Sequence, residues 1–186
     1  MSLVLGIDSS TQSTKALLVN AASGEVIDER RAAHPTGTQV DPTAWLDAMR
    51  EATAGLLERA DAVAVGGQQH GMVALDRDNQ VVRKAMLWND TSSAPQALEL
   101  IDELGGPEAS AEKVGSVLVA SFTGTKLRWM RDHEPDNAAR TASVCLPHDY
   151  LTWHLGGREC LTTDHGDASG TGYYSCLLYT SDAADE

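Results

Sequence analysis

Cysteine, cationic side chains and long apolar runs are all scarce in this chain, and each shortage argues against a class of protein. The three cysteines, Cys145, Cys160 and Cys176, are odd in number, widely spaced and without a CxxC pair. That pattern argues against a zinc ribbon or a disulfide framework and suits a reduced cytoplasmic compartment. No stretch reaches the roughly 18–20 apolar residues of a membrane span. The opening MSLVLG has neither the basic region nor the long apolar region of a secretory signal. Only 14 basic side chains stand against 27 acidic ones, a formal charge of −13. Bulk repulsion then argues against nucleic acid and lipid headgroups as partners. A small phosphate-bearing ligand survives that argument, because local backbone dipoles and a bound cation outweigh distant charge. Internal repeats, a GxxxxGK[ST] loop and a GxGxxG turn are also missing.

What is present is enough for an ordinary core: 186 residues, 42% of them hydrophobic. Leu3–Asp8 and Ala16–Asn20 are short apolar runs separated by a polar turn, and AASGE (21–25) leads into a third run, Val26–Ala33. The pattern predicts a three-strand antiparallel meander. Asp41-Pro42 reads as a helix start, followed by an apolar stripe of Trp45, Leu46, Met49, Ala52 and Leu56 or Leu57. DAVAVGG (61–67) predicts a buried strand running into a glycine corner. Met72–Trp88 predicts a hairpin around a DRDN turn. Ser93–Leu104, Thr125–His133 and Pro147–Leu155 carry helical periodicity. Cys160–Asp164 reads as a short strand or loop and Asp167–Gly172 as a polar turn. A meander, a crossover helix and a further strand define a mixed α/β sheet. Cys176–Glu186 lacks a cap or a packed closing element and reads as a frayed or non-native tail.

Three segments concentrate polar groups at strand ends. GIDSSTQSTK (6–15) crowds hydroxyls into a turn whose N–H groups can converge on a phosphate, with Lys15 adding charge. Asp8 suits an anion there only with a divalent cation between them; otherwise it caps its own hairpin. In VGGQQHGM (65–72) the glycines permit a close approach, and Gln69 and His70 offer groups suited to sugar hydroxyls. A lone histidine is more often structural. In LWND (87–90) Trp88 offers a flat apolar face, with Asn89 and Asp90 as polar edges; the plainer alternative is a buried tryptophan before an Asn-Asp helix cap.

Taken in order, GIDSSTQSTKALLV, VDPTAW, VGGQQHGMVALD, AMLWND, FTGTKLRWMRDHEP, LPHDYLTWHLGG and TDHGDASGTGYY resemble the N-terminal half of the FGGY carbohydrate kinases. QQHGM and LWND are most similar to the members that act on D-xylulose. The resemblance implies an actin-like, RNase H-like α/β domain, with a mixed sheet flanked by helices, over residues 1–175. It implies transfer of the γ-phosphoryl group of ATP, with Mg2+, to D-xylulose, giving xylulose 5-phosphate. Thr11, Gln12, Ser13 and Lys15 would face the phosphates and Asp8 would hold magnesium through water. Gln69, His70, Trp88, Asn89 and Asp90 would form the sugar pocket, and Asp167 matches a position at the cleft. Asp8, His70 and Asp90 are accordingly expected around one cavity.

Departures from the family pattern leave alternatives open. Thr91, Ser92 and Ser93 stand where many members have an arginine, and Ser121 replaces the tyrosine of glycerol-type members. Another sugar or polyol (ribulose, gluconate, glycerol) and a non-catalytic sugar-binding module on the same scaffold therefore both remain. Family members are much longer, and their catalytic aspartate is expected beyond residue 186, so this chain alone is expected to be inactive. The partners implied are a sugar and a nucleotide, with no nucleic acid and no membrane. A homodimer of the full-length protein is left open.

Overall fold

The computed structural model describes residues 2–175; the 176–186 tail lies outside them. In chain order the elements are β1 (Leu3–Ser9), β2 (Ser13–Asn20), β3 (Val26–Ala33), β4 (Gln39–Val40), α1 (Thr43–Thr53), β5 (Ala62–Gly67), β6 (Val73–Leu75) and β7 (Ala85–Met86). They continue with α2 (Ala94–Leu104), α3 (Pro107–Val114), α4 (Thr123–His133), α5 (Pro135–Arg140), β8 (Ser143–Cys145), α6 (Pro147–Leu155) and α7 (His165–Ser169). They form two compact units. Among the described residues one comprises 2–68 and Pro147–Thr162, the other Gln69–Leu146 and 163–175. Among the described residues no helix is long and apolar enough to cross a membrane.

The first unit is built on a four-stranded sheet in the order β3-β2-β1-β5. The β1–β2 and β2–β3 pairs are antiparallel and β1–β5 is parallel, so the expected meander, crossover helix and mixed sheet are all present. Side chains along a strand alternate between faces. Leu5 and Ile7 of β1 therefore share one face with Leu18 and Ala16 of β2, and all four are buried. Helix α1 packs on β2 and β3. Its stripe of Trp45, Leu46, Met49 and Ala52, extended by Leu56, is buried as its spacing predicts. Asp41 Oδ1 accepts the Thr43 N–H at 2.9 Å and the Thr43 hydroxyl at 2.8 Å, which fixes the start of α1 beside Pro42.

β5 departs from expectation. Ala62, Val63 and Ala64 are exposed rather than buried. The strand stands at the border of the sheet, paired with β1 alone among the described strands, so an apolar run there is not enclosed.

The second unit surrounds a methionine-rich core. Met72, Ala74, Met86 and Met130 are buried, with Val82, Leu127, Trp129, Ala138 and Val144 packed around them. The DRDN turn forms as expected, and Asp76 Oδ1 accepts the N–H groups of Asp78 and Gln80, each at 2.9 Å. The hairpin it closes is short, with bridges Leu75↔Val81 and Met72↔Met86. The main partner of β6 is instead β8, through Val73↔Cys145, Ala74↔Val144 and Leu75↔Ser143. Arg83 pairs with Glu134 at 3.3 Å and lies over the Trp129 ring at 5.2 Å, which closes the edge of this core. α2 ends at Gly105 in the left-handed region (φ 102), where the Gly106 N–H returns to the Ile101 carbonyl at 2.9 Å. The segment read as a polar turn at Asp167–Gly172 begins inside α7, because Asp164 Oδ1 caps it by accepting the Asp167 N–H at 2.8 Å.

Candidate functional site

In the first unit the hydroxyl-rich turn connects β1 to β2. Gly6, Asp8, Lys15, Leu17, Ala64 and Gly66 lie on the sheet face away from α1. Asp8 pairs in register with Lys15 on one side and Gly66 on the other. With Ile7 and Val65 these residues line a cavity of about 460 Å³. The Asp8 carboxylate is exposed at its end, and the Gly6 position is open enough that an added Cβ would meet nothing within 4 Å.

The turn is fastened from below. The Ser10 N–H and hydroxyl both donate to the Ser13 carbonyl, at 3.1 and 3.2 Å. The His34 N–H donates to the Gln12 carbonyl at 2.8 Å, and His34 Nε2 shares a 2.8 Å bond with the buried Thr14 hydroxyl. Arg31 Nε donates to Ser13 Oγ at 2.9 Å, so Ser13 is buried and engaged, while Gln12 faces solvent and Thr11 is half-buried. Burial pushes the His34 pKa down. The carbonyls of Ser10 and Thr11 and the charge of Asp8 oppose that shift. A hard-oxygen carboxylate at the rim of a hydroxyl-lined turn, with a lysine beside it, is chemically suited to a hydrated Mg2+ ion and a polyphosphate.

The second unit holds the Gln-His corner and the Trp-Asn-Asp edge. Gln69 is exposed and its carbonyl accepts the Gly71 N–H at 2.9 Å. His70, between them, sits at φ 64. This is the i→i+2 pattern of a γ-turn of the strained, positive-φ kind. The ring is held by two contacts and the backbone by a third. Its Nδ1 bonds the Gly170 carbonyl at 2.9 Å, its ring lies 5.1 Å from that of Phe122, and the Thr123 hydroxyl donates to its backbone carbonyl at 3.3 Å. A carbonyl can only accept, so Nδ1 carries the proton and Nε2 keeps its lone pair. Burial, aided by the charge of Lys126, lowers the His70 pKa, and the Gly170 bond opposes this.

Trp88 is 48% exposed and Asn89 is also exposed, so the tryptophan is not a core residue. Asp90 turns inward at 2% exposure, and its Oδ1 accepts the Ser92 N–H at 2.9 Å. Asp167 is buried at the first turn of α7. The structure thus places Thr11, Gln12, Ser13, Lys15 and Asp8 in the first unit, and Gln69, His70, Trp88, Asn89, Asp90 and Asp167 in the second. Sequence reading missed Gly170, Phe122 and Thr123, which contact the histidine, and Lys126, whose charge acts on it. The signal was present in FTGTK and GDASGTG, but it becomes a contact only once residues 70, 122 and 170 are brought together.

The model of the N-terminal domain of the FGGY family of carbohydrate kinases matches residues 3–178. A xylulose kinase of Streptomyces coelicolor is 54% identical over 180 residues, which cover 93% of this chain and 37% of that protein. One from Haemophilus influenzae is 36% identical over 192 residues, covering 94% and 38%. Among solved structures, the xylulose kinase of Bifidobacterium adolescentis matches with a TM-score of 0.92 at 45% identity, covering 95% of this chain and 40% of that one. The gluconate kinase of Lactobacillus acidophilus, at 22% identity and a TM-score of 0.80, covers 92% and 36% and shares the fold. This chain spans under half the length of each of these relatives. Its fold is the N-terminal part of the actin-like fold of the FGGY sugar kinases.

Proposed function

Because the chain belongs to the FGGY family of carbohydrate kinases, we propose that residues 1–175 lie in the sugar-binding N-terminal domain of an ATP-dependent D-xylulose kinase. The product is xylulose 5-phosphate. The observation that carries this reading is His70, a strained residue whose Nδ1–H is spent on a backbone carbonyl while Nε2 stays free to accept a hydrogen bond. That is the arrangement required to receive one hydroxyl of a polyol in a fixed direction. Gln69 and Asn89 supply exposed amides and Trp88 an exposed ring for the rest of the sugar, while Asp90 braces their edge from within.

Phosphoryl transfer needs positioning and charge stabilisation more than covalent chemistry from the protein. On this reading Thr11, Gln12, Ser13 and Lys15 would hold the nucleotide's phosphates, and Asp8 would hold Mg2+ through water, where the ion would supply neutralisation of phosphate charge. The aspartate that takes the sugar's proton is expected outside residues 1–186. The reaction is placed in the cytoplasm, and neither nucleic acid nor membrane enters it.

A coupled assay of the full-length protein over xylulose, ribulose, gluconate and glycerol, with and without Mg2+, tests the reading. The highest kcat/KM should fall to D-xylulose, and His70→Ala should raise the sugar KM with little effect on the ATP KM. Preference for another substrate overturns the sugar assignment, since lost hydroxyl contacts give large preferences. Sugar binding without nucleotide turnover would favour a non-catalytic module.

A further inference from the structure

Lys126 is fully buried at 0% exposure near the start of α4, and among the described residues it forms no ion pair with a carboxylate. Two physical terms oppose it there. Burial desolvates the ammonium, and the positive end of the helix dipole repels it. The side chain turns back over its own helix start and donates to the Ala120 carbonyl at 3.2 Å and to the Phe122 carbonyl at 3.5 Å, with a further bond to the Ser121 carbonyl. Ser93 and Thr125, also fully buried, converge on the same segment. Ser93 Oγ donates to the Ala120 carbonyl at 3.0 Å, and Thr125 Oγ1 lies 2.8 Å from the Phe122 carbonyl. A buried lysine kept in so unfavourable a place, and spent on three consecutive carbonyls, fixes a loop. That loop ends in the Phe122 ring and the Thr123 hydroxyl, both of which touch His70.

We infer that Lys126 is a positioning residue for the sugar corner, its ammonium holding residues 120–122 as the platform on which the ring and carbonyl of His70 rest. The charge has a second effect in the same direction. Lys126 is the charged group acting on His70 among the described residues, and it favours the neutral imidazole, while Asp90, on the turn before α2, in turn acts on Lys126. Lys126 thus fixes the place of His70, and its charge adds to the burial that favours the neutral ring, without touching the sugar. The inference rests on the sugar-kinase reading of His70 given above.

The test uses the full-length protein with D-xylulose, or with whichever panel sugar it phosphorylates. Lys126→Met keeps the length of the side chain and removes the charge. Its sugar KM should rise about tenfold, its ATP KM should stay within twofold, and the acid limb of kcat/KM for the sugar should move to higher pH. A purely structural lysine would lower active enzyme without moving that limb. Should Lys126→Met fail to fold, Thr123→Val removes only the hydroxyl bond to His70, and its sugar KM should rise severalfold. An unmoved acid limb with an unchanged sugar KM overturns the inference, as does a parallel rise in the ATP KM. If His70→Ala is itself silent, or no sugar is phosphorylated by the unsubstituted protein, the functional reading falls and the inference with it.

Discussion

The imidazole of His70 occupies the space a side chain at Gly170 would need: a Cβ added to Gly170 would lie 2.3 Å from His70 Nδ1 and Cε1. Residues a hundred positions apart are thereby fitted to each other, and the 2.9 Å bond from Nδ1 to the Gly170 carbonyl depends on that fit. Gly170→Ala should push the ring off its carbonyl, costing about 1–3 kcal/mol of stability from overpacking. The sugar KM should rise about tenfold with the ATP KM unchanged. Thermal melts and two-substrate kinetics measure both, and a variant kinetically identical to wild type would remove Gly170 from the site.

The exposed pair on the other unit's turn predicts a different kinetic signature. Asp8→Asn should lower kcat by about a hundredfold or more, with the Mg2+ dependence moved to higher concentration, since the ion's charge stabilisation is worth several kcal/mol. Lys15→Met should instead raise the ATP KM about tenfold, the value of one charged hydrogen bond. Neither should change the sugar KM. An Mg2+ titration of Asp8→Asn that overlays the wild-type curve would exclude the carboxylate from metal handling.

His34 makes acid stability a property of the phosphate turn. Its folded pKa is depressed by burial, whereas the unfolded chain titrates near its ordinary value of about 6.5. The unfolded state therefore takes up the proton first. The stabilisation is present in full above that value and is lost as pH falls below it toward the folded pKa. His70 and His154 are shifted in the same direction, also by burial first. The melting temperature should fall between pH 7 and 5.5, and His34→Gln should flatten part of that fall. An equal slope in wild type and variant would contradict the assignment.

At alkaline pH a buried lysine acts with the same sign in a higher window. Burial lowers the Lys126 pKa to about 8, against about 10.4 in the unfolded chain. Between those values the unfolded state binds the extra proton, so this group's contribution to stability rises with pH across the window. The stability difference between wild type and Lys126→Met should shift toward wild type from pH 8 to pH 10. A difference constant over that range would mean the ammonium is less enclosed than its position implies.

Much of the framework was legible because its signals are local. β3 at Val26–Ala33 and α6 at Pro147–Leu155 fall where the sequence places them, and α1 buries the stripe its spacing defines. The misses have physical causes. α3 carries Glu108, Ser110, Glu112 and Lys113 and only Ser110 of its residues is buried, so it has no apolar period to read. β8 is three residues long and meaningful only against β6, about seventy positions earlier. In the site, QQHGM and LWND announce hydrogen-bonding groups at strand exits. Their orientation, with Trp88 outward and Asp90 inward, and the support of His70 by Phe122 and Gly170 arise from pairings no short window contains.

The two borders of the four-stranded sheet are chemically unlike. β3 carries Asp28, Glu29, Arg30 and Arg31 along its length, charges that discourage another strand from docking. β5, at the opposite border, reads Ala-Val-Ala-Val-Gly-Gly and has no such guard. Among the described strands, the sheet thus has a charged border on one flank only. A single lysine introduced at Val63, whose side chain is already 40% exposed, would be the economical way to keep separate copies of this segment from joining through it.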